Sequence, residues 1–221
     1  MAVRLHAALF DLDGTLVRTY IDFPAMRDAV RERARIAYKV SDTILQNSDS
    51  LDIIAETLAV LPEEERQHAR RDLHAVLEEH EELGCANPDA VPGATDLLTD
   101  LYNRNIRVAI VTRNARAIAT TLCRRMNLRA DVIIAREDTT TYKPHPAPLH
   151  LACDHLQVQP EYTAMVGDLW ADVAAGAAAG CAMTIGIQWE HDLPDRFAGT
   201  TPTHIVGTLE DASDILLAMT G

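Results

Sequence analysis

Residues 5–16 read LHAALFDLDGTL. An apolar run from Leu5 to Leu12 passes directly into Asp13-Gly14-Thr15. A short apolar run that stops at a turn signal spells a buried strand followed by a tight turn. Asp11 and Asp13 are two apart on an extended segment, so their carboxylates can point the same way. Two neighbouring carboxylates repel strongly unless a cation or a shared proton relieves them. The pair also falls at the carboxyl end of the strand, where open parallel α/β sheets build their sites.

From about Val17 to Ala90 the texture changes to helix. Met26, Val30, Ala34 and Ala37 recur at helical spacing, and Asp22 with Pro24 supplies a start. Ser50 is placed to cap a second helix carrying Leu51, Ile54, Leu58 and Leu61. Pro62 with Glu63, Glu64 and Glu65 opens a third, its acids at the positive end of the dipole. Leu73, Val76, Leu77, His80 and Leu83 form its expected buried stripe, with Gly84 as its stop and Glu78, Glu79, Glu81 and Glu82 on its solvated face. After Pro92-Gly93, helical segments alternate with apolar strands at 108–111, 132–135, 163–166, 182–187 and 203–206. Strands alternating with helices imply right-handed crossovers and a parallel sheet covered on both faces. The expected architecture is an α/β, Rossmann-like parallel sheet core with an inserted all-helical domain. Residues 1–16 and 92–221 make the core, and 17–91 make the insert.

The strand ends are therefore where chemistry is expected. Asp11 and Asp13 come after the first strand, Thr112 after the second, Asp168 and Asp172 after the fourth, and Lys143 lies in a proline-stiffened loop after the third. Polar groups thus converge on one rim. Of the acid pair, one can stay ionised as nucleophile and metal ligand while the other gives and takes a proton. Asp168 adds a hard oxygen of the kind Mg²⁺ prefers, and Asp172, one helical turn on, can face the same centre. Lys143 would neutralise charge as an anionic substrate arrives, and the Thr112 hydroxyl could donate to the same group.

Asp11-Leu12-Asp13-Gly14-Thr15-Leu16, Thr112, Tyr142-Lys143-Pro144-His145-Pro146 and Gly167-Asp168-Leu169-Trp170-Ala171-Asp172 resemble, in order, the four motifs of the haloacid dehalogenase superfamily. The insertion point resembles that of the phosphoglycolate phosphatase and β-phosphoglucomutase branch, with its helical cap. The resemblance implies a phosphatase acting on a small phosphorylated metabolite. Asp11 would form an aspartyl-phosphate, and Asp13 would protonate the leaving alcohol and then activate water. Thr112, Arg113, Asn114 and Lys143 would meet the substrate. Mg²⁺ would be held by Asp11, the main-chain carbonyl of Asp13 and Asp168, with Asp172 behind. Two positions depart from the pattern. Leu169 stands where a small hydroxyl residue is usual, and Arg113 intervenes between Thr112 and Asn114. The alternatives are a phosphomutase on the same fold and a non-catalytic relative that binds a phosphorylated effector.

Composition sets a constraint on a phosphate-ester enzyme. The 221 residues carry 33 acids against 20 bases, a formal net charge of −13. Such a surface repels nucleic acid and anionic membranes, so neither is expected as a partner. It also repels phosphate esters, which puts weight on a metal and on the rare lysines, Lys39 and Lys143. No stretch reaches the roughly 18 apolar residues that span a bilayer. The four cysteines, 85, 123, 153 and 181, lie too far apart for a metal knuckle and read as free thiols. A soluble cytoplasmic protein is expected, with a homodimer left open.

Overall fold

A computed structural model of the chain describes residues 4–46, 49–190 and 196–219. It forms two compact units, one of residues up to Thr19 together with Pro88 onward, the other Tyr20–Asn87.

The first unit is built on a six-stranded sheet. β1 (Ala7–Phe10), β4 (Arg107–Val111), β5 (Val132–Ile134), β6 (Thr163–Gly167), β7 (Met183–Ile187) and β8 (His204–Val206) lie in the order β5-β4-β1-β6-β7-β8. Every pairing is parallel. In the central strands β1, β6 and β7 every residue is buried, as expected where helices cover both faces of a sheet. The helices are α4 (Ala94–Asn103), α5 (Arg116–Arg125), α6 (Ala147–Leu156), α7 (Trp170–Ala179) and α8 (Leu209–Ala218). Ala7 and Leu9 of β1, Ala109 and Val111 of β4 and Met165 of β6 pack on Leu149, Ala152, Ala175 and Ala179 of α6 and α7. These strand residues are two apart and so share one face; α4 and α8 pack on each other, α4 also on β4 and α8 on β7 and β8. The alternation read from the sequence thus gives the α/β fold.

This unit also carries a two-stranded antiparallel ribbon. β2 (Val17–Arg18) pairs with β3 (Asp89–Ala90), Val17 opposite Ala90, at the points where the chain leaves and re-enters this unit. Two-residue strands carry no periodicity for a sequence reading to find.

The second unit holds α1 (Phe23–Tyr38), α2 (Ser50–Val60) and α3 (Glu63–Gly84). Asp22 caps α1 by accepting from the Ala25 amide at 2.9 Å. For α2 the cap is Asp49, which accepts from Leu51 N, and Ser50 is already helical. The α3 stripe also needs correction. Its buried residues are Ala69, Leu73, Leu77, Glu81 and Gly84, while Leu83 is exposed. The stripe steps by four through 69, 73, 77 and 81, and the apolar Leu83 lies off it. Glu81 is therefore a buried carboxylate, not part of a solvated face.

Close packing of α7 on the sheet supplies a direct test. A Cβ on Gly176 would stand 2.6 Å from Thr184 Cγ2 and 2.8 Å from Met165 Cβ. Alanine gains about 1 kcal/mol of helix propensity over glycine, but overpacking a core costs about 1–3 kcal/mol. Gly176→Ala should therefore lower the urea unfolding free energy. A stabilised variant would mean the helix is free to lift from the sheet.

Candidate active site

Three adjacent strands, β4, β1 and β6, end side by side, and each is followed at once by a polar residue: Thr112, Asp11 and Asp168. The Asp11 amide still donates to Val166 O at 2.9 Å, so its backbone is held in register while its side chain leaves the sheet. Beyond it the chain turns sharply. Gly14 sits at φ +86°, and a Cβ there would fall 2.4 Å from Asp168 Oδ2, so only glycine suits this turn.

Lys143 reaches into this rim from the loop between β5 and α6, and its side chain is buried. Its Nζ donates to Asp11 Oδ1 at 2.5 Å and to Val111 O at 2.6 Å, and pairs with Asp172 Oδ1 at 2.7 Å. Oxygens of Asp11, Asp168 and Asp172 all lie within 4.8 Å of one another, close enough to hold one metal ion between them. Asp172 is also fixed by the Leu169 amide, which donates to its Oδ2 at 3.1 Å.

Asp13 is held apart from that trio by three donors. Asn114 Nδ2 lies 3.1 and 3.0 Å from its two oxygens, Thr19 Oγ1 donates at 3.0 Å and Thr112 Oγ1 at 3.3 Å. The Thr112 oxygen in turn accepts from Asn114 N at 3.1 Å. The 112–114 turn is pinned from below by Arg136, a buried residue whose amide donates to Asn114 O and whose Nη1 donates to Arg113 O at 3.3 Å. Arg113 itself is half-buried, and its carbonyl is the atom so held. The side-chain Nδ2 of Asn114 is thus committed to Asp13.

Burial dominates the electrostatics. It pushes the Asp11 carboxyl well above the ordinary range; Lys143 opposes this, and the charges of Asp172, Asp168 and Asp13 add to it. Asp13 is raised by burial against the pull of its hydrogen bonds from Asn114, Thr19 and Thr112. Asp168 is raised to about 7 by burial and by Asp172, with Arg196 and Thr15 opposing. For Lys143 burial works against the charge, but Asp11 and Asp172 outweigh it and hold the ammonium above its usual value. The rim is thus a crowd of carboxylates poorly tolerated without further positive charge.

Several contributors escaped the sequence reading. Thr15 Oγ1 donates to Asp168 Oδ1 at 3.2 Å, and Thr19 supports Asp13 from just beyond β2. Trp189 and Arg196 enter from the connection after β7. Trp189 Nε1 donates to Gly14 O at 2.7 Å, and Arg196 pairs with Asp168. The rule used on the other strands could have found these two. β7 neighbours β6, so the chain leaving its carboxyl end must lie beside Asp168. A cavity of about 440 Å³ opens at the opposite, amino end of the strands, lined by Arg4, His6, Arg104 and Arg107. Its cations sit beside the carboxyl ends of α4 and α6, where helix dipoles favour them, and it shares none of the acidic chemistry.

The sequence and the fold are similar to those of known proteins. The model of the haloacid dehalogenase-like hydrolase family matches residues 5–180. The chain is 30% identical over 184 residues to N-acetylmuramic acid 6-phosphate phosphatase of Pseudomonas putida, covering 80% of this chain and 81% of that one. It is 30% identical over 187 residues to phosphoglycolate phosphatase of Chromobacterium violaceum, covering 80% and 83%. Its fold is similar to that of CbbY from Rhodobacter sphaeroides, solved in complex with phosphate, with a TM-score of 0.64 at 23% identity, over 92% of this chain and 94% of that one. Among the described residues, no helix is long and apolar enough to cross a membrane.

The raised carboxyls set a sign for stability against pH. In the unfolded chain they ionise near pH 4, whereas the folded chain keeps Asp168 protonated up to about 7. Between those values the folded state holds protons the unfolded state has released, so stability falls as pH rises. In EDTA the denaturation midpoint should drop from pH 5 to pH 8, and a divalent cation should restore more at pH 8 than at pH 5. A midpoint that climbs over this range would show that the carboxylates are not crowded.

Proposed function

The chain belongs to the haloacid dehalogenase-like hydrolase family, and from that premise we propose that it is a phosphatase of small phosphorylated metabolites, working through an aspartyl-phosphate on Asp11. The observation that carries this reading is the Lys143 ammonium lodged between Asp11 and Asp172, with Asp168 alongside and Asp13 held separately by Asn114 and Thr19. Relatives named for an amino sugar 6-phosphate and for phosphoglycolate have a phosphate monoester in common and differ in its organic part. The substrate class proposed here is accordingly the monoester of a small hydroxy compound, such as phosphoglycolate or a sugar phosphate.

The donor set suits a hard divalent cation. Three buried carboxylates offer oxygens within 4.8 Å of each other, and Mg²⁺ takes oxygen ligands. Asp11, Asp168 and the main-chain carbonyl of Asp13 would hold it, with Asp172 beside them. Bound there, Mg²⁺ would supply positive charge that offsets the crowding of these carboxylates and the approach of a phosphate dianion.

The chain's own groups then divide the work. The Asp11 carboxylate attacks phosphorus, a P–O bond to Asp11 forms and the ester P–O bond breaks. Asp13, kept protonated more readily than an exposed acid by its burial, passes its proton to the departing alkoxide. As a carboxylate it then takes a proton from water, whose oxygen attacks the acyl phosphate, releasing inorganic phosphate and restoring Asp11. Lys143 neutralises charge on Asp11 and on the phosphoryl oxygens throughout. The 3.3 Å contact from Thr112 to Asp13 is long, so its hydroxyl can turn to a phosphoryl oxygen. Phosphoryl transfer asks little bond-making of a protein, so placement and charge carry most of the rate.

Two measurements check this. Asp11→Asn should abolish hydrolysis of an aryl phosphate, while Asp13→Asn should lose about 10²–10⁴-fold, the scale of general acid–base help; activity surviving in Asp11→Asn would remove the nucleophile. EDTA should stop turnover, with Mg²⁺ but not Ca²⁺ restoring it, because calcium's looser coordination spoils in-line geometry.

A further inference from the structure

Arg196 grips the acidic residue that comes directly after β6. Its Nε donates to the Asp168 main-chain oxygen at 2.9 Å and its Nη2 to Asp168 Oδ2 at 2.5 Å. In return the Arg196 carbonyl accepts from the Trp170 amide at 2.9 Å. One residue is thus bound to the 168–170 turn through both its side chain and its backbone. The Asp168 side chain is 3% exposed and that of Arg196 25%, so this is not a solvated surface pair. Earlier in the same connection, Trp189 ties it to Gly14 O, in the turn that carries Asp13 and Thr15. Both Trp189 and Arg196 lie beyond residues 5–180, the stretch that matches the family.

The local sequence gives this clamp a reason. Position 169 is leucine, a residue 40% exposed whose side chain has no hydrogen-bonding group, so it cannot steady the turn as a hydroxyl would. Asp172 is engaged by Lys143 and by the Leu169 amide. Among the described residues, the side chains that donate to the Asp168 carboxylate are Thr15 on Oδ1 and Arg196 on Oδ2. A carboxylate has about four lone-pair sites, so both contacts leave it able to ligate.

We propose that Arg196 is a positioning residue for metal binding, holding Asp168 in its ligating orientation in place of the hydroxyl that Leu169 lacks. The inference rests on the reading of this rim as a Mg²⁺ site. Coulomb's law alone predicts the opposite effect of removing Arg196. Deleting a cation next to a ligand carboxylate strengthens the field that attracts Mg²⁺. Orientation and charge therefore push the metal affinity in different directions, and the sign of the change identifies which one governs.

The experiment is calorimetric titration of Mg²⁺ alone into the full chain and into Arg196→Met and Arg196→Lys, each first shown to unfold cooperatively. Removing the partner that orients a metal ligand typically weakens binding 10–100-fold. Arg196→Met should show a Kd raised by about that factor, Arg196→Lys a smaller rise, and both a kcat near the parent's once Mg²⁺ saturates. A Kd unchanged or lowered in Arg196→Met would overturn the proposal and make the arginine a competitor for Asp168. A kcat lost at saturating Mg²⁺ would overturn it too, by placing Arg196 in the chemical step. Failure of the underlying metal reading is separately visible, as a parent protein that gives no Mg²⁺ binding heat.

Discussion

A buried ammonium between two carboxylates organises this molecule. Lys143 is one of two lysines in 221 residues, and it has been drawn almost wholly out of water to sit between Asp11 and Asp172. Taking charge out of water is costly, and removing one partner of such a pair costs about 3–5 kcal/mol because the other is left uncompensated. The arrangement persists because the fold fixes its parts independently. Asp11 is fixed by β1, Asp172 by the start of α7, and Lys143 by a third hydrogen bond to Val111 O at the end of β4. The ammonium thus links the ends of three elements distant in sequence.

Sheet topology makes that convergence possible. β1 lies between β4 and β6, and the sheet extends from it in both directions, to β5 on one side and through β7 to β8 on the other. Parallel strands all end on the same edge, so Asp11, Thr112 and Asp168 need only be the residues next after their strands. Two subsites result. Asp11, Asp168 and Asp172 form an acidic trio, two of whose members pair with Lys143, while Asp13 sits in a cradle of neutral donors, Asn114, Thr19 and Thr112. Carboxylates two residues apart thereby acquire different surroundings, which is what separate roles as nucleophile and as acid and base require.

Much of this was legible in the sequence, for definable reasons. The α/β fold followed from the alternation of apolar runs with helical spacing, a signal repeated along the chain after Pro92. Asp11, Asp13, Thr112, Lys143 and Asp168 stand out because each comes just after a strand or sits in a loop stiffened by proline, and Asp172 because it lies one helical turn beyond Asp168. Other features left no local trace. The β2–β3 ribbon is two residues long, Thr19 is an ordinary threonine until that ribbon turns it toward Asp13, and Arg136 is one of 18 arginines, distinguished only by burial. In α3 the apolar Leu83 misled the reading because a helical stripe is a matter of angle, and Glu81, not Leu83, lies at the buried angle. Trp189 and Arg196 could have been anticipated only from the strand order, which places the end of β7 next to that of β6.

The central claim is that these carboxylates and Lys143 form one phosphoryl-transfer site, and its most direct test is a crystal structure with Mg²⁺ and beryllofluoride, a mimic of an acyl phosphate. The account predicts density for the fluoride group continuous with an Asp11 oxygen, in contact with Lys143, and a metal ion ligated by Asp11 and Asp168. Beryllofluoride attached elsewhere, or Mg²⁺ bound away from this trio while Lys143 stays closed on Asp11 and Asp172, would contradict it.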